Sequence, residues 1–372
     1  MANPEQITQQ QVTVKRERQL QYERYFQYAK MGPVIPGLHQ DLVPQGITYM
    51  AENDWLIMSF YRTSNQASVL AIVEAASGNY VKAVHLQNED NTPYHGHAGG
   101  VAVSSQFLFV TSDHTLFYAP LDALVNAENE TSVQFTGSLP METRGSFTKV
   151  ADGVLWVGEF AFSGSYLTRE KHHLYNRNNV LYQGWMMGYE LDPATGFIPV
   201  NTPLDDDGQY VPDYILSIPY RIQGMSISQK DIVLSQSYGR TADSHLFIYN
   251  NPLGAPPHQY VALGGRQVPV WFLDNTIQKD TLLAPPMSES IVLKNNDLYI
   301  LYESAADQYV HDCSYPLDRL GVIDMNRLDE ADSDDNCDEI PRKHAGKHIL
   351  IGNKKIGKQI INHIQNMHDL NM

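Results

Sequence analysis

Pro44-Gln45-Gly46-Ile47-Thr48-Tyr49, a polar turn at Glu52-Asn53-Asp54, and the run from Trp55 to Tyr61 make a unit that the sequence goes on to repeat. Its first strand opens with small or polar residues, and its second is more apolar and ends polar. The unit returns as His97 to Val103, a turn at Ser104-Ser105, and Phe107 to Asp113. It returns again as Ser146 to Val150, a turn at Asp152-Gly153, and Val154 to Phe160. The fourth copy is Gln223 to Ile227 with Ile232 to Ser237, and the fifth is Met287 to Val292 with Leu298 to Ser304. Third strands follow at Val69 to Glu74, Leu116 to Ala119, Trp185 to Asp192, His245 to Tyr249 and Leu320 to Met325. Outer strands are expected at Tyr80 to Leu86, Val133 to Leu139 and Phe197 to Val200. Repeated units of four antiparallel strands describe the blades of a β-propeller.

The fold class is therefore all-β, a single β-propeller over residues 41–328, with five blades favoured and six the alternative. Copies stand further apart than compact blades require, so long insertions are expected at Ser163 to Gly184 and at Asn250 to Val268. The fifth unit lacks a clear outer strand. Residues 1–40, through Val34 to Leu38, or Ile349 to Ile351 would supply it and fasten the ring. Gln11 to Lys30 is expected to begin with a helix. Residues 329–372 read as an acidic loop and a C-terminal helical cap, with Ile356, Ile360, Ile364 and Met367 at helical spacing.

Composition limits the partners. Forty-two acidic against 26 basic residues give a net charge of −16, which repels phosphate backbones and argues against nucleic acid. No stretch approaches the roughly 18 apolar residues of a membrane span, and no signal peptide is expected in Met1 to Gln19. The compartment stays undecided, with a mature secreted or periplasmic form as one option. Two cysteines, Cys313 and Cys337, either form one bridge or stay as thiols. Gly-x-Ser-x-Gly, phosphate-loop and dinucleotide signatures are absent, which argues against a serine hydrolase, kinase or dehydrogenase.

Propeller topology converts the repeat into a site. Starts of first strands and ends of second strands meet around one channel mouth, where ligands bind. Those positions bring Gln45, Tyr61, Gln223 and Ser237 forward as ligand-binding residues, with His173 added from the third-unit insertion as part of a lid. They bring Asp113, Glu159, Glu289 and Glu303 together as metal ligands, and crowded carboxylates need a cation, an arginine or a shared proton. Calcium is the expected cofactor, because it takes many oxygen ligands and tolerates mixed ones. His95 and His97, two residues apart, are candidate general bases. Arg62 and Arg221 are candidate clamps for an oxyanion or phosphate.

The blade pattern over Leu42 to Leu328 resembles propellers of the lactonase and strictosidine-synthase-like kind, and five-bladed calcium-dependent nucleotidases of the apyrase type. The first resemblance implies a catalytic calcium at the channel mouth, with Glu159, Asp113 and Glu303 in the ligand roles. Channel asparagines of those enzymes have no counterpart in the inner strands here. Only Glu289 matches the first-strand carboxylates of the nucleotidases. The function expected is a calcium-dependent hydrolase of a small ester, lactone or phosphate. The alternative is a non-catalytic propeller that binds a partner protein or glycan through its loop face.

Overall fold

Each two-strand unit forms an antiparallel hairpin, and two further strands extend it outward into a sheet. A computed structural model describes residues 6–14, 16 and 19–328 and arranges them as a five-bladed β-propeller. The inner strands are Leu42–Met50, Gly100–Val103, Phe147–Ala151, Ile222–Ile227 and Ser288–Lys294. Each lies beside the next, and the fifth returns to the first, so the ring closes with five blades.

Blades pack face to face, so both faces of each sheet must be apolar. Hence second strands read as continuous runs rather than alternations: Leu56, Ile57 and Met58 are all fully buried. Ile57, Leu70, Val84, Val101 and Val110 fill the seam between blades 1 and 2. Phe109, Leu155, Trp185 and Met187 fill the next, and Trp156, Met186, Met225 and Leu234 the one after. Near the axis the strands come very close. A Cβ on Gly100 would stand 2.4 Å from the Thr148 nitrogen, and one on Gly224 would stand 2.5 Å from Ser290 Cα. Glycine is needed there for approach, whatever its conformational freedom.

The ring is closed by Ala29–Val34, which pairs antiparallel with the third strand of blade 5, Arg319–Asp324. This lies just upstream of the expected Val34 to Leu38. Among the described residues of Gln11 to Lys30, the helical part is a 3-10 turn at Leu20–Tyr22 and Glu23–Tyr28, so it comes late in the segment and not at its beginning. The short helix adds a fastening, since Tyr25 and Tyr302 are buried and their hydroxyls lie 2.9 Å apart.

Tyr80 to Leu86 is the outer strand expected in blade 1, and the other two expected outer strands need correction. Val133 to Leu139 is two strands: Thr131–Gln134 adds parallel to Tyr80–Gln87 in blade 1, and Gly137–Pro140 completes blade 2. Phe197 to Val200 is not a strand, because Phe197 packs its ring among Phe107, Phe109 and Tyr118 between blades. Tyr214–Ile218 takes the outer place in blade 3. The fourth-unit insertion also crosses over. Its strands Gln259–Leu263 and Arg266–Phe272 extend blade 3, and blade 4 ends on Gln278–Ala284. The expected acidic loop, helical cap and Cys337 lie outside the described residues. Among the described residues, no helix is long and apolar enough to cross a membrane.

Candidate functional site

Five equivalent positions, one at the head of each inner strand, define the channel mouth: Gln45, Gly99, Ser146, Gln223 and Glu289. All five line one cavity of about 500 Å³. In blades 1, 4 and 5 the register slips at this step, between Pro44 and Gly46, between Ile222 and Gly224, and between Ser288 and Ile291. A β-bulge inserts an unpaired residue and re-aims its side chain. The bulges fall at Gln45, Gln223 and Glu289, which converge as a result. Second-strand ends supply Tyr61, Ser112, Asp113, Phe160, Ser237 and Glu303 to the same cavity.

At the base of this cavity two carboxyl groups meet. Glu289 is buried, 3% exposed, and hydrogen-bonds Glu303 across the join of blade 5's first two strands. Gln223 Nε2 donates to Glu289 Oε1 at 3.1 Å, and Gln45 Nε2 donates to Glu303 Oε2 at 3.1 Å. Burial pushes the Glu289 carboxyl well above the carboxylate range, and the charge and hydrogen bond of Glu303 push it the same way. Burial also raises Glu303, to about 7, although hydrogen bonds from Gln45 and Glu289 and the positive charge of Arg240 oppose it. Two carboxyls this close cannot both ionise cheaply, so Glu289 keeps its proton as Glu303 gives up its own.

An aromatic and cationic rim surrounds the pair. His97 stacks on Tyr61 with ring centroids 4.7 Å apart, and the Tyr61 and Tyr309 hydroxyls lie 2.8 Å apart. Arg240 lies over the Tyr309 ring at 5.0 Å and pairs with Asp312. Across the mouth, Arg144 pairs with Asp113 at 3.2 Å and approaches Tyr166 from the blade 3 insertion. The cavity serines are engaged in structural bonds. Ser112 Oγ accepts from His97 N, Ser146 Oγ accepts from Phe160 N, and Ser237 Oγ accepts from Ser244 Oγ.

Of the residues expected at the mouth, the cavity brings together Gln45, Tyr61, His97, Asp113, Gln223, Ser237, Glu289 and Glu303. The other five lie elsewhere, for identifiable reasons. Glu159 precedes Phe160, and strand alternation sends neighbouring side chains to opposite sides. Phe160 faces the cavity, while Glu159 Oε1 accepts from His172 Nδ1 at 2.6 Å and Trp185 N at 3.0 Å. Alternation likewise turns Arg62 away from Tyr61, onto the carboxylate of Asp41. The chain at 95–99 is not extended, and Ala98 takes φ 50°, so His95 and His97 do not share a face. His95 Nδ1 instead meets the Gln66 carbonyl at 3.0 Å. Arg221 is held over Phe162 at 4.2 Å and over Tyr238 at 4.9 Å, behind the mouth. His173 bonds Thr168 within the insertion, which sends Tyr166 to the cavity in its place.

The expected metal ligands are accordingly not one cluster. Among the described residues, the acidic group with ligand-like spacing is Glu142, Asp205 and Asp207. It is already met by cations, since Arg169 reaches Glu142 and Asp207 at 3.0 Å and Lys171 reaches Glu142 at 2.9 Å.

No family model matches the chain, and no curated protein sequence matches it. Among solved structures it is similar to a glutaminyl cyclase from Myxococcus xanthus, at 11% identity and a TM-score of 0.36, covering 79% of this chain and 94% of that one. It is also similar to BamB from Moraxella catarrhalis, at 10% identity and a TM-score of 0.31, covering 75% and 84%. A third is the Dos1 propeller, at 8% identity and a TM-score of 0.29, covering 71% and 56%.

Proposed function

We propose that the channel mouth is a small-molecule site in which Glu289 and Glu303 hydrolyse a carboxylic ester or lactone by general acid–base catalysis. The observation that supports this reading is the hydrogen-bonded carboxyl pair inside an aromatic-walled cavity. A pair that shares one proton can act as base and acid in the same step, the logic of carboxyl dyads that activate water. Glu303, ionised, takes a proton from a water as its oxygen attacks the carbonyl carbon. Glu289 gives its proton to the carbonyl oxygen, and a tetrahedral diol forms. On collapse the carbon–oxygen bond to the leaving alcohol breaks. Glu303 returns its proton to that oxygen, and Glu289 recovers its own.

Calcium is the second reading, in a narrower form than the sequence suggested. Glu289 and Glu303 would hold the ion, aided by the Oε1 atoms of Gln45 and Gln223, and the ion would supply a Lewis acid. The fit is partial, because both amides present Nε2 donors to the carboxylates, which suits a proton and not a cation.

The test is hydrolysis of phenyl acetate and δ-valerolactone, with and without calcium or chelator. The dyad reading expects chelator-independent turnover that falls about 10²- to 10⁴-fold in both Glu289→Gln and Glu303→Gln. Turnover untouched by both substitutions contradicts it. A melting temperature that rises with calcium in the parent protein, but not in Glu303→Gln, favours the ion.

A further inference from the structure

The base of the cavity is acidic, yet its rim carries two guanidinium groups from different parts of the ring, Arg144 and Arg240. Among the described residues, each is paired to an aspartate at the surface. Asp113 is 75% exposed and Asp312 is 61% exposed, and Arg240 is itself 44% exposed. Ion pairs this open to water contribute little and exchange readily. The ring contacts are the more durable part, because Tyr309 supports the Arg240 guanidinium and Tyr309 is tied through Tyr61 to His97. Arg240 also stands close enough to Glu303 to favour its ionised form. So a fork of donors is held within reach of the carboxyl pair, facing a cavity with Tyr61, Phe160, Tyr166 and Tyr238 in its walls.

We propose that the ligand of this cavity carries a carboxylate, which displaces Asp312 from Arg240 while its apolar part packs among the tyrosines. Arg240 is then a specificity residue. A planar guanidinium binds a carboxylate through two parallel hydrogen bonds, which neither a lysine nor a neutral side chain reproduces. Arg144 stands on the opposite rim as the second cation. The placement of the ligand rests on the cavity described above, but not on its chemistry.

The experiment is isothermal titration of the full chain at neutral pH with phenylacetate and with phenylacetamide, equal in shape but different in charge. Phenylacetate is expected to bind, and phenylacetamide to bind at least about tenfold more weakly. Arg240→Gln should weaken phenylacetate by about 10- to 100-fold, with partial recovery in Arg240→Lys. Asp312→Asn, which removes the competing carboxylate, should tighten it. Equal binding of the two probes, no binding of phenylacetate, or an Arg240→Gln protein that binds it unchanged would overturn the assignment. Failure of the dyad reads out separately. If phenylacetate binding depends on Arg240 while ester turnover ignores Glu289→Gln, the carboxylate site stands and the hydrolytic reading falls.

Discussion

At the scale of the residue, the decisive group is a proton held by Glu289 and Glu303. Both carboxyls have folded values above their ordinary 4.5, so the folded chain binds protons that the unfolded chain releases. Stability from the pair is therefore fully present below pH 4.5 and is lost as pH rises through about 7, where Glu303 ionises. Glu303→Gln should flatten this slope and raise the melting temperature at pH 8 relative to the parent. An unchanged slope between pH 5 and 8 would contradict the shared proton. A second residue-scale prediction concerns Gly100. An alanine methyl there meets the backbone of blade 3, which cannot retreat as a flexible side chain would. Gly100→Ala should cost about 1–3 kcal/mol in denaturant unfolding, and a cost under about 0.5 would mean the seam is looser than described.

At the scale of the element, the blade 3 insertion is held from beneath by His172, which is fully buried between two carboxylates. Its Nδ1 meets Glu159 at 2.6 Å, its Nε2 meets Glu142 at 3.1 Å, and its ring stacks on Trp185. Burial alone would lower the imidazole, but its bonds to Glu142 and Glu159 prevail and raise it. Glu142, despite its burial, is brought to about 2 by His172 and Lys171. The stabilisation from His172 is therefore present below 6.5 and is lost as pH climbs through the raised value. Amide protection across residues 163–183, taken relative to the intrinsic exchange rate at each pH, should therefore fall in alkali, and in His172→Gln it should be low at every pH. Protection that ignores both changes would show that Arg177 on Asp274 holds the insertion by itself. This element also shows what the sequence could and could not convey. The five hairpins were legible because period, turn residues and apolar runs are local properties. The convergence of first-strand starts and second-strand ends followed from topology. Side-chain direction was not legible at Glu159, His95 or Arg62, where a one-residue step decides between cavity and flank. Gln45-Gly46 and Gln223-Gly224 were the available sign of bulges. Tyr309, in an irregular loop, carries no repeat signature at all. Phe197 and the strands at 259–272 misled because neighbouring blades, and not their own, determine where they pack.

At the scale of the whole molecule, closure depends on one strand from the opposite end of the chain. Ala29–Val34 covers the open edge of blade 5, and Tyr22, through Asp243, and Tyr25, through Tyr302, pin the adjoining turn. Removing residues 1–34 exposes that edge, which should lower the melting temperature and promote association of chains. A truncated chain that stays monomeric with an unchanged melting temperature would show that the ring closes without it. The same closure brings Gln45 of blade 1 against Glu303 of blade 5, so ring integrity and the carboxyl pair are physically linked. The most direct test of the account is carbon-13 NMR titration of the protein labelled at its glutamate side-chain carboxyls, read beside Glu289→Gln and Glu303→Gln. The account predicts one carboxyl that titrates near 7 and disappears in Glu303→Gln, and a second, absent from Glu289→Gln, that keeps its proton beyond the first. Ionisation of both Glu289 and Glu303 near the ordinary 4.5 would contradict it.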